Sequence, residues 1–550
     1  MNLVVFRVWL TKTGAIEANA QIETMSANSK ARVLMIQGTH SDVGKSLLVT
    51  GLCRAYTRRG LRVRPFKAQN MSNNAAVTAD SDRPPGSSGQ QLRHGEIGRA
   101  QAFQALACGV PRSVHMNPIL LKPESDVDCQ VVVRGRVLGT YSAAAYQSTK
   151  RELLPAVLES LHHLAGDADL LLVEGAGCGA EHYLRSNDIS NMGLAEAADL
   201  PVVLLGEEAR GGITASALGA YQLWSRSERA RVVGYLVNRF RGDSEIFAPA
   251  AAQITRATGW PNLGLIRWFD GAARLAQEDS LALDRQRQNG EGEGGGSAGT
   301  NRRLRIVVPR LPRVANFDDL DPLAAEPGIE VRWVPPGEPL PRDADVVLLL
   351  GSKATRSDLD ALYRQGWHHD IHTHVRHGGY VVGLCGGFQM LGRVVRDPHG
   401  VEGAAGETPG LGLLDLESTL TDEKSLLELS AGHIRDGLSG QPLTGYEMHM
   451  GRTSGAALAR PWLRLEDGHS ARPEGAQSSD GRVMGGYIHG LFAADGFRRH
   501  WLQRLGARAA EVHYGEQVER TLDAWADQLE TDLDLDRLWT LARSPARPSA

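Results

Sequence analysis

At 550 residues, with 42% apolar and 23% charged residues, the chain has a globular composition and enough apolar material for roughly three or four domains. Its formal net charge of −4 argues against the basic face that nucleic-acid binding requires, and no apolar run approaches the roughly 20 residues of a membrane span. Five cysteines at no metal-ligand spacing suit a reducing cytoplasm, with no disulfide framework.

Residues 1–30 do not match the organised chain that follows. They read as a poorly ordered extension, with Met25 nearer the natural start, and MNLVVFRVWL lacks the cleavage site of a secretory signal. From residue 31 to 284, the apolar runs Val33–Gln37, Leu61–Phe66, Asp169–Val173, Pro201–Leu205 and Val232–Val237 are expected strands. Amphipathic stretches such as Lys45–Arg58 and Lys150–Ala165 lie between them. This alternation predicts a parallel sheet covered on both faces. Ser81–His94, rich in Ser, Pro, Gly and Gln, reads as a surface loop. Gln288–Asn301 contains six glycines, so 285–302 is expected to be a flexible linker. A second alternating half, 303–500, carries strand candidates at Leu304–Val308, Val346–Leu350 and Tyr380–Leu384, with a late strand and turn at Gly485–Phe492. Residues 501–550 read as a helical capping segment and tail, and no internal repeat is apparent.

The segment Gly38–Ser46, GTHSDVGKS, directly follows the first apolar run. A phosphate loop works because backbone N–H groups converge on phosphate oxygens at a helix N-terminus. Glycine permits close approach, lysine neutralises charge and the serine hydroxyl ligates Mg²⁺; Gly44, Lys45 and Ser46 match these parts. The spacing departs from the standard pattern, with five residues between Gly38 and Gly44. Lys67 and Glu174 each follow a strand candidate and are expected at the same crevice, where ligands of open parallel sheets gather. Glu174 is a candidate Mg²⁺ ligand. The bland alternatives are a helix cap with a surface lysine, and an acid on a turn. GAGCGA at 175–180 echoes a dinucleotide fingerprint, but no acidic residue ends a strand about 20 residues on.

Gly383–Gln389, GLCGGFQ, places Cys385 between glycines on an expected strand-to-helix turn, like a nucleophile elbow. Small neighbours let the sulfur project and a helix N-terminus favours the thiolate. The base must come from elsewhere in the chain. His489 in GGYIHGLF is the best candidate, with N–H groups near Gly351 and Gly386 as oxyanion donors. His368 and His372, in HHDIHTHVRH, stand one helical turn apart, but a solvated helix face is expected there rather than zinc.

Taken together, GTHSDVGKS, PFKAQNM, GEIGRAQ, NPILLKP, VEGAGC, DISNMGLAEAADLPVVL, VNRFRGD, GSK, GLCGGFQMLG, GYEMHMGR and YIHGLF resemble the glutamine-hydrolysing cobyric acid synthases across nearly all of residues 31–541. The phosphate loop alone resembles dethiobiotin synthetases, and GLCGGFQ resembles class I glutamine amidotransferases; PFKAQNM with DISNMG is more specific. The resemblance implies an N-terminal P-loop, dethiobiotin-synthetase-like parallel-sheet domain and a C-terminal class I glutamine amidotransferase-like α/β domain. It implies ATP- and glutamine-dependent amidation of the b, d, e and g carboxylates of adenosylcobyrinic acid a,c-diamide in cobalamin biosynthesis. ATP and Mg²⁺ would be the cofactors, and the partners only small molecules, the corrinoid bringing its own cobalt. By the same resemblance Cys385 is the nucleophile and His489 its base, with Gly351 and Gln389 at the glutamine. Asp42, Gly44, Lys45, Ser46 and Asn238 are nucleotide contacts, Ser46, Glu96 and Glu174 the Mg²⁺ ligands, and Lys67, Gln69, Asn70 and Asp188 lie near the substrate.

Four features depart from the family pattern. Glu207 and Ala209 replace two aspartates, Ser81–His94 is inserted just before Glu96, and Leu350 replaces a proline before GSK. Leu491 stands where many class I glutaminases have a glutamate, so Cys385 and His489 are expected to act alone. Two other readings are a cobyrinic acid a,c-diamide synthase, whose GPDYIDP-like segment is replaced here by AQNM, and a partitioning-type ATPase with a decayed glutaminase half. A nicotinamide enzyme is a weaker alternative.

Overall fold

A computed structural model describes residues 31–80, 94–208, 212–275, 303–429, 434–467, 469–507 and 510–545. The expected extension 1–30, the linker 285–302, nearly all of the 81–94 insertion and Ala209 lie outside the described residues.

The first half is built on six parallel strands in the order Asn262–Arg267, Val232–Phe240, Val202–Glu207, Arg32–Gly38, Leu170–Cys178, Val63–Phe66. Both faces are covered, which is why these strands read as unbroken apolar runs. Val33 and Met35 point into one core, Leu34 and Ile36 into the other. In the central pair Ile36 lies opposite Glu174. The phosphate loop and that carboxylate therefore emerge side by side from adjacent strand ends. The expected helix Lys45–Arg58 forms with those bounds; Lys150–Ala165 divides into a short 3₁₀ turn and the helix Leu154–Gly166, with proline in its first turn.

Two smaller additions, one a mixed sheet and one antiparallel, were not apparent in the sequence. Gln69–Met71, Ile119–Pro123, Asp128–Val133 and Arg136–Ser142 form a four-stranded sheet, and Ala75–Val77 pairs with Glu96–Gly98. The second half has a parallel sheet in the order Ile329–Val334, Leu304–Pro309, Val346–Leu349, Tyr380–Leu384, Val483–Gly486, closed by the antiparallel Ala476–Gln477. The long strands Glu417–Leu429 and Gly445–Ser454 pair beside it, with Ile488–His489 at the edge.

The halves meet where Ala75 and Val77 pack on Leu426, Tyr446 and Met448. Polar contacts flank this apolar patch. Asn316 N–H donates to Asn74 Oδ1 at 2.7 Å, Ala75 N–H donates to Asn316 Oδ1 at 3.0 Å, and Lys353 pairs with Glu124 at 2.6 Å. Among the described residues no helix is long and apolar enough to cross a membrane.

The C-terminal helix Tyr514–Asp532 returns to the first half and packs on Lys45–Arg58. Trp525 is buried and its indole N–H donates to Leu47 O at 2.8 Å. A Cβ on Gly51 would lie 2.4 Å from both Trp525 and Leu529, so glycine there permits the close crossing. The segment expected as a cap is thus part of the nucleotide half's core. Trp525→Ala is expected to destabilise the protein by about 3–5 kcal/mol through the cavity it leaves, measured by denaturant unfolding. Because the helix behind the phosphate loop loses its support, nucleotide affinity should fall in the same variant.

Candidate functional site

Two cavities lie on either side of the seam. The larger, about 1180 Å³, is lined by the phosphate loop, by Lys67–Asn74, by Glu174 and the turn after it, and by Pro312–Val314 and Phe317 of the second half. It exceeds the usual small-molecule pocket, so it has room for more than a nucleotide.

At its floor the loop has the geometry expected of a phosphate cradle. Asp42 and Gly44 adopt positive φ, 62° and 93°, and a Cβ on Gly44 would lie 2.3 Å from the Asn238 amide. Asn238 Nδ2 donates to Val43 O at 2.8 Å and fixes the turn. Lys45 Nζ donates to Gly177 O at 2.7 Å and His40 O at 3.3 Å, which folds it across the loop. Ser46 Oγ donates to Glu174 Oε1 at 2.6 Å, and Lys67 Nζ lies 2.8 Å from the same oxygen. A serine hydroxyl and a carboxylate in contact at a phosphate loop suit a hard cation that completes its shell with water and phosphate oxygens. Gln69, Asn70 and Asp188 line the same cavity. Tyr146 donates to Gln69 at 2.7 Å, and Asn70 donates to Gln101 at 3.0 Å. The Asp188 carboxylate accepts backbone N–H groups of Ser190, Asn191 and Gly193, so it shapes the turn as well as the cavity wall.

Glu96 does not join this group. It is fully buried at the seam, between Lys122 Nζ at 2.9 Å and Lys424 of the second half. Burial alone would raise its pKa, but the two ammonium groups outweigh this and hold it near about 2. Glu96 was expected to ligate Mg²⁺ alongside Ser46 and Glu174; here its oxygens face Lys122 and Lys424, and it does not line the cavity that holds those two residues. Glu207, in place of an aspartate, points into the cavity and pairs with Arg239 at 3.1 Å. Among the described residues no cluster of three or more His, Cys, Asp or Glu could hold a metal ion, and His368 sits on the helix Trp367–Arg376.

The smaller cavity, about 50 Å³, is lined by Cys385, Gly386, Gln389, Gly351 and His489, and also by Asn73 and Lys122 of the first half. Cys385 stands between the strand Tyr380–Leu384 and the helix Gly386–Met390 at φ 52° and ψ −109°. Non-glycine residues avoid this region, and such strain is characteristic of functional turns. A Cβ on Gly387 would lie 2.1 Å from Leu349 O, so the turn closes only on glycine. Gln389 is pinned by Thr355 Oγ1 at 3.2 Å and Met450 O at 3.2 Å.

His489 is fully buried, and its Nδ1 lies 2.7 Å from Asp319 Oδ2. Asp319 Oδ1 accepts the Gly490 N–H at 2.5 Å, so one carboxylate orients both ring and backbone. Among the described residues His489 Nε2 makes no hydrogen bond of ordinary geometry. Burial works to lower the His489 pKa, but the Asp319 charge and hydrogen bond, aided by Cys385, raise it to about 10. Tyr446 stacks on the imidazole with centroids 5.3 Å apart. Cys385 and His489 were expected to act without a third residue, whereas the structure places a carboxylate, Asp319, against the imidazole. The acid comes from upstream, in FDDLDPL, where no motif marks it.

A cysteine elbow with an acid-oriented histidine, joined to a phosphate-loop half, defines a nucleotide-dependent protein with a glutamine amidotransferase domain. Comparison supports both halves. Residues 34–282 match the CobQ/CobB/MinD/ParA nucleotide binding domain, and 305–497 the CobB/CobQ-like glutamine amidotransferase domain. Cobyric acid synthases of Brucella suis and Azorhizobium caulinodans are 50% and 54% identical over 93% of this chain and 100% of their own lengths. This chain belongs to the cobyric acid synthase family.

Asp319→Asn is expected to lower kcat/KM for glutamine hydrolysis by about 10²–10⁴-fold, as when an orienting acid is neutralised in other triads. Without the carboxylate, burial prevails and the His489 pKa falls. The alkaline limb of the pH profile, governed by loss of the imidazolium proton, should therefore move to lower pH. An unchanged profile would leave Asp319 without a part in the reaction.

Proposed function

We propose that this chain is an ATP- and glutamine-dependent amide ligase that converts adenosylcobyrinic acid a,c-diamide to adenosylcobyric acid by amidating its b, d, e and g carboxylates. The observation that carries this reading is 50–54% identity with cobyric acid synthases over 93% of this chain and the full length of those relatives, joined to two cavities that share a wall. Asn73 lines both.

In the glutaminase cavity the Cys385 sulfur attacks the side-chain amide of glutamine. His489 accepts the thiol proton and returns it to the departing nitrogen, while Asp319 holds the ring in one tautomer. Backbone N–H groups at Gly351 and Gly386 stabilise the oxyanion. Ammonia leaves, and water then cleaves the thioester to glutamate.

A free carboxylate is a poor electrophile. In the larger cavity the corrinoid carboxylate attacks the γ-phosphoryl group of ATP, ADP leaves, and the resulting acyl phosphate is attacked at its carbonyl carbon by ammonia, which expels phosphate and gives the amide. Lys45 and Lys67 balance the phosphate charge, Asn238 lies beside the loop at the base, and Gln69, Asn70 and Asp188 shape the corrinoid side. Ser46 and Glu174 would hold Mg²⁺, which supplies further charge neutralisation on the phosphates. The nitrogen must arrive as NH₃, and a route past Asn73 keeps it from the solvent that would protonate it.

Cys385→Ala is expected to abolish glutamine-supported amidation and to retain the reaction with ammonium salts. Lys45→Ala should lose both. Mass spectrometry of the corrinoid product should show four successive decreases of roughly one mass unit, O replaced by NH. Glutamine-supported product from Cys385→Ala, or a final product short of four steps, would overturn the assignment.

A further inference from the structure

The helix Arg99–Ala107 touches both reaction centres. Gln104 Nε2 donates to Glu174 Oε2 at 2.7 Å, on the carboxylate that Ser46 and Lys67 also contact. Gln101 accepts from Asn70, which lines the larger cavity. The first residue of the helix, Arg99, reaches across the seam into the glutaminase half. There it pairs with Asp318 and donates to the Tyr446 hydroxyl at 2.7 Å. Its guanidinium carbon lies 5.3 Å from the centre of the Tyr446 ring.

These contacts surround His489. Asp318 precedes Asp319, the carboxylate bonded to the imidazole, and Tyr446 stacks on that imidazole. Tyr446 also donates to Ala75 O, at 3.3 Å, on the first half's seam strand. Gln104 stands five positions along the helix from Arg99, a rise of about 7.5 Å. A helix this short transmits a displacement as one body, so its two ends cannot move independently.

We propose that Arg99 is a positioning residue for glutamine hydrolysis, and that its helix couples occupancy of the nucleotide centre to the His489 triad. Nucleotide phosphates arriving beside Ser46 compete with the Glu174 carboxylate for Lys67, and so alter the hold of that carboxylate on Gln104. The resulting shift of the helix resets Arg99 against Asp318 and Tyr446, and so the orientation of His489. Ammonia release then follows loading of the ligase half, which spares glutamine when no acceptor is ready. Arginine suits this position because its planar fork can pair with a carboxylate and lie on a ring at once, which lysine does not reproduce. Without it Asp318 would stand beside Asp319 with only the His489 charge to offset the pair, and a buried charge stripped of its direct partner is strongly unfavourable.

This inference rests on the amidotransferase reading, and one set of assays separates the two. Glutamine hydrolysis is measured in the full chain with and without ATP and corrinoid, and amidation with ammonium salts, for the wild type, Arg99→Met and Arg99→Lys. The wild type is expected to hydrolyse glutamine at least fivefold faster when ATP and corrinoid are present. Arg99→Met should lose at least tenfold in glutaminase kcat, with KM for glutamine within about threefold, and should show no stimulation. Its ammonium-supported amidation should stay within about twofold of wild type, which also verifies that the chain is folded. Arg99→Lys should recover part of the kcat. Undiminished kcat and stimulation in Arg99→Met would overturn the proposal. So would an equal loss with ammonium, which would make Arg99 a general structural residue. A wild type that amidates with ammonium but never with glutamine would overturn the amidotransferase reading itself, and this inference with it.

Discussion

Both centres depend on the seam where Ala75 and Val77 pack on Leu426, Tyr446 and Met448. Apolar contact supplies the attraction, but the buried charges around it set the register. Glu96 is fully buried and is neutralised by one lysine from each half. Breaking such an arrangement leaves a carboxylate in a low-dielectric setting with half its compensation, a cost of several kcal/mol. The halves are therefore held in one relative placement. That placement gives Asn73 a position on the wall of both cavities.

The two active turns illustrate different uses of backbone strain. In the phosphate loop Gly44 sits at φ 93°, where glycine is at little disadvantage. At Cys385 the side chain that must project is carried at φ 52°, a conformation that costs free energy and persists only because its neighbours leave no alternative. Cys385 N–H is bonded to Gly486 O at 2.8 Å, and Gly387 abuts Leu349. The surrounding parallel sheet supplies that constraint, which is why the motif works only at a strand end.

Glu96 and Asp319 show how role and motif can part company. Glu96 lies in the GEIGRAQ motif just after an insertion, and the family resemblance makes it look like a metal ligand. Its partners Lys122 and Lys424 lie 26 and 328 residues away, and they hold it between the two halves. Asp319 has the opposite history. It sits in an acidic stretch with three aspartates in four positions, and only its contact with His489, 170 residues downstream, gives it a place beside the reaction.

The alternation of apolar runs and amphipathic stretches was enough to establish two parallel-sheet halves, because a doubly covered strand and a half-covered helix have different periods. The glycine-bordered lysine and cysteine turns were legible for a similar reason: close backbone approach and positive φ restrict which residues can stand there. Tertiary structure alone decided the antiparallel strands at the seam, the return of Tyr514–Asp532 to the phosphate-loop helix, and the pairing of Asp319 with His489 and of Arg99 with Asp318. Such contacts join residues far apart in the chain. Their energy depends on burial and orientation that no local window contains, so a lone aspartate or arginine carries no mark of its partner until the fold brings the two together.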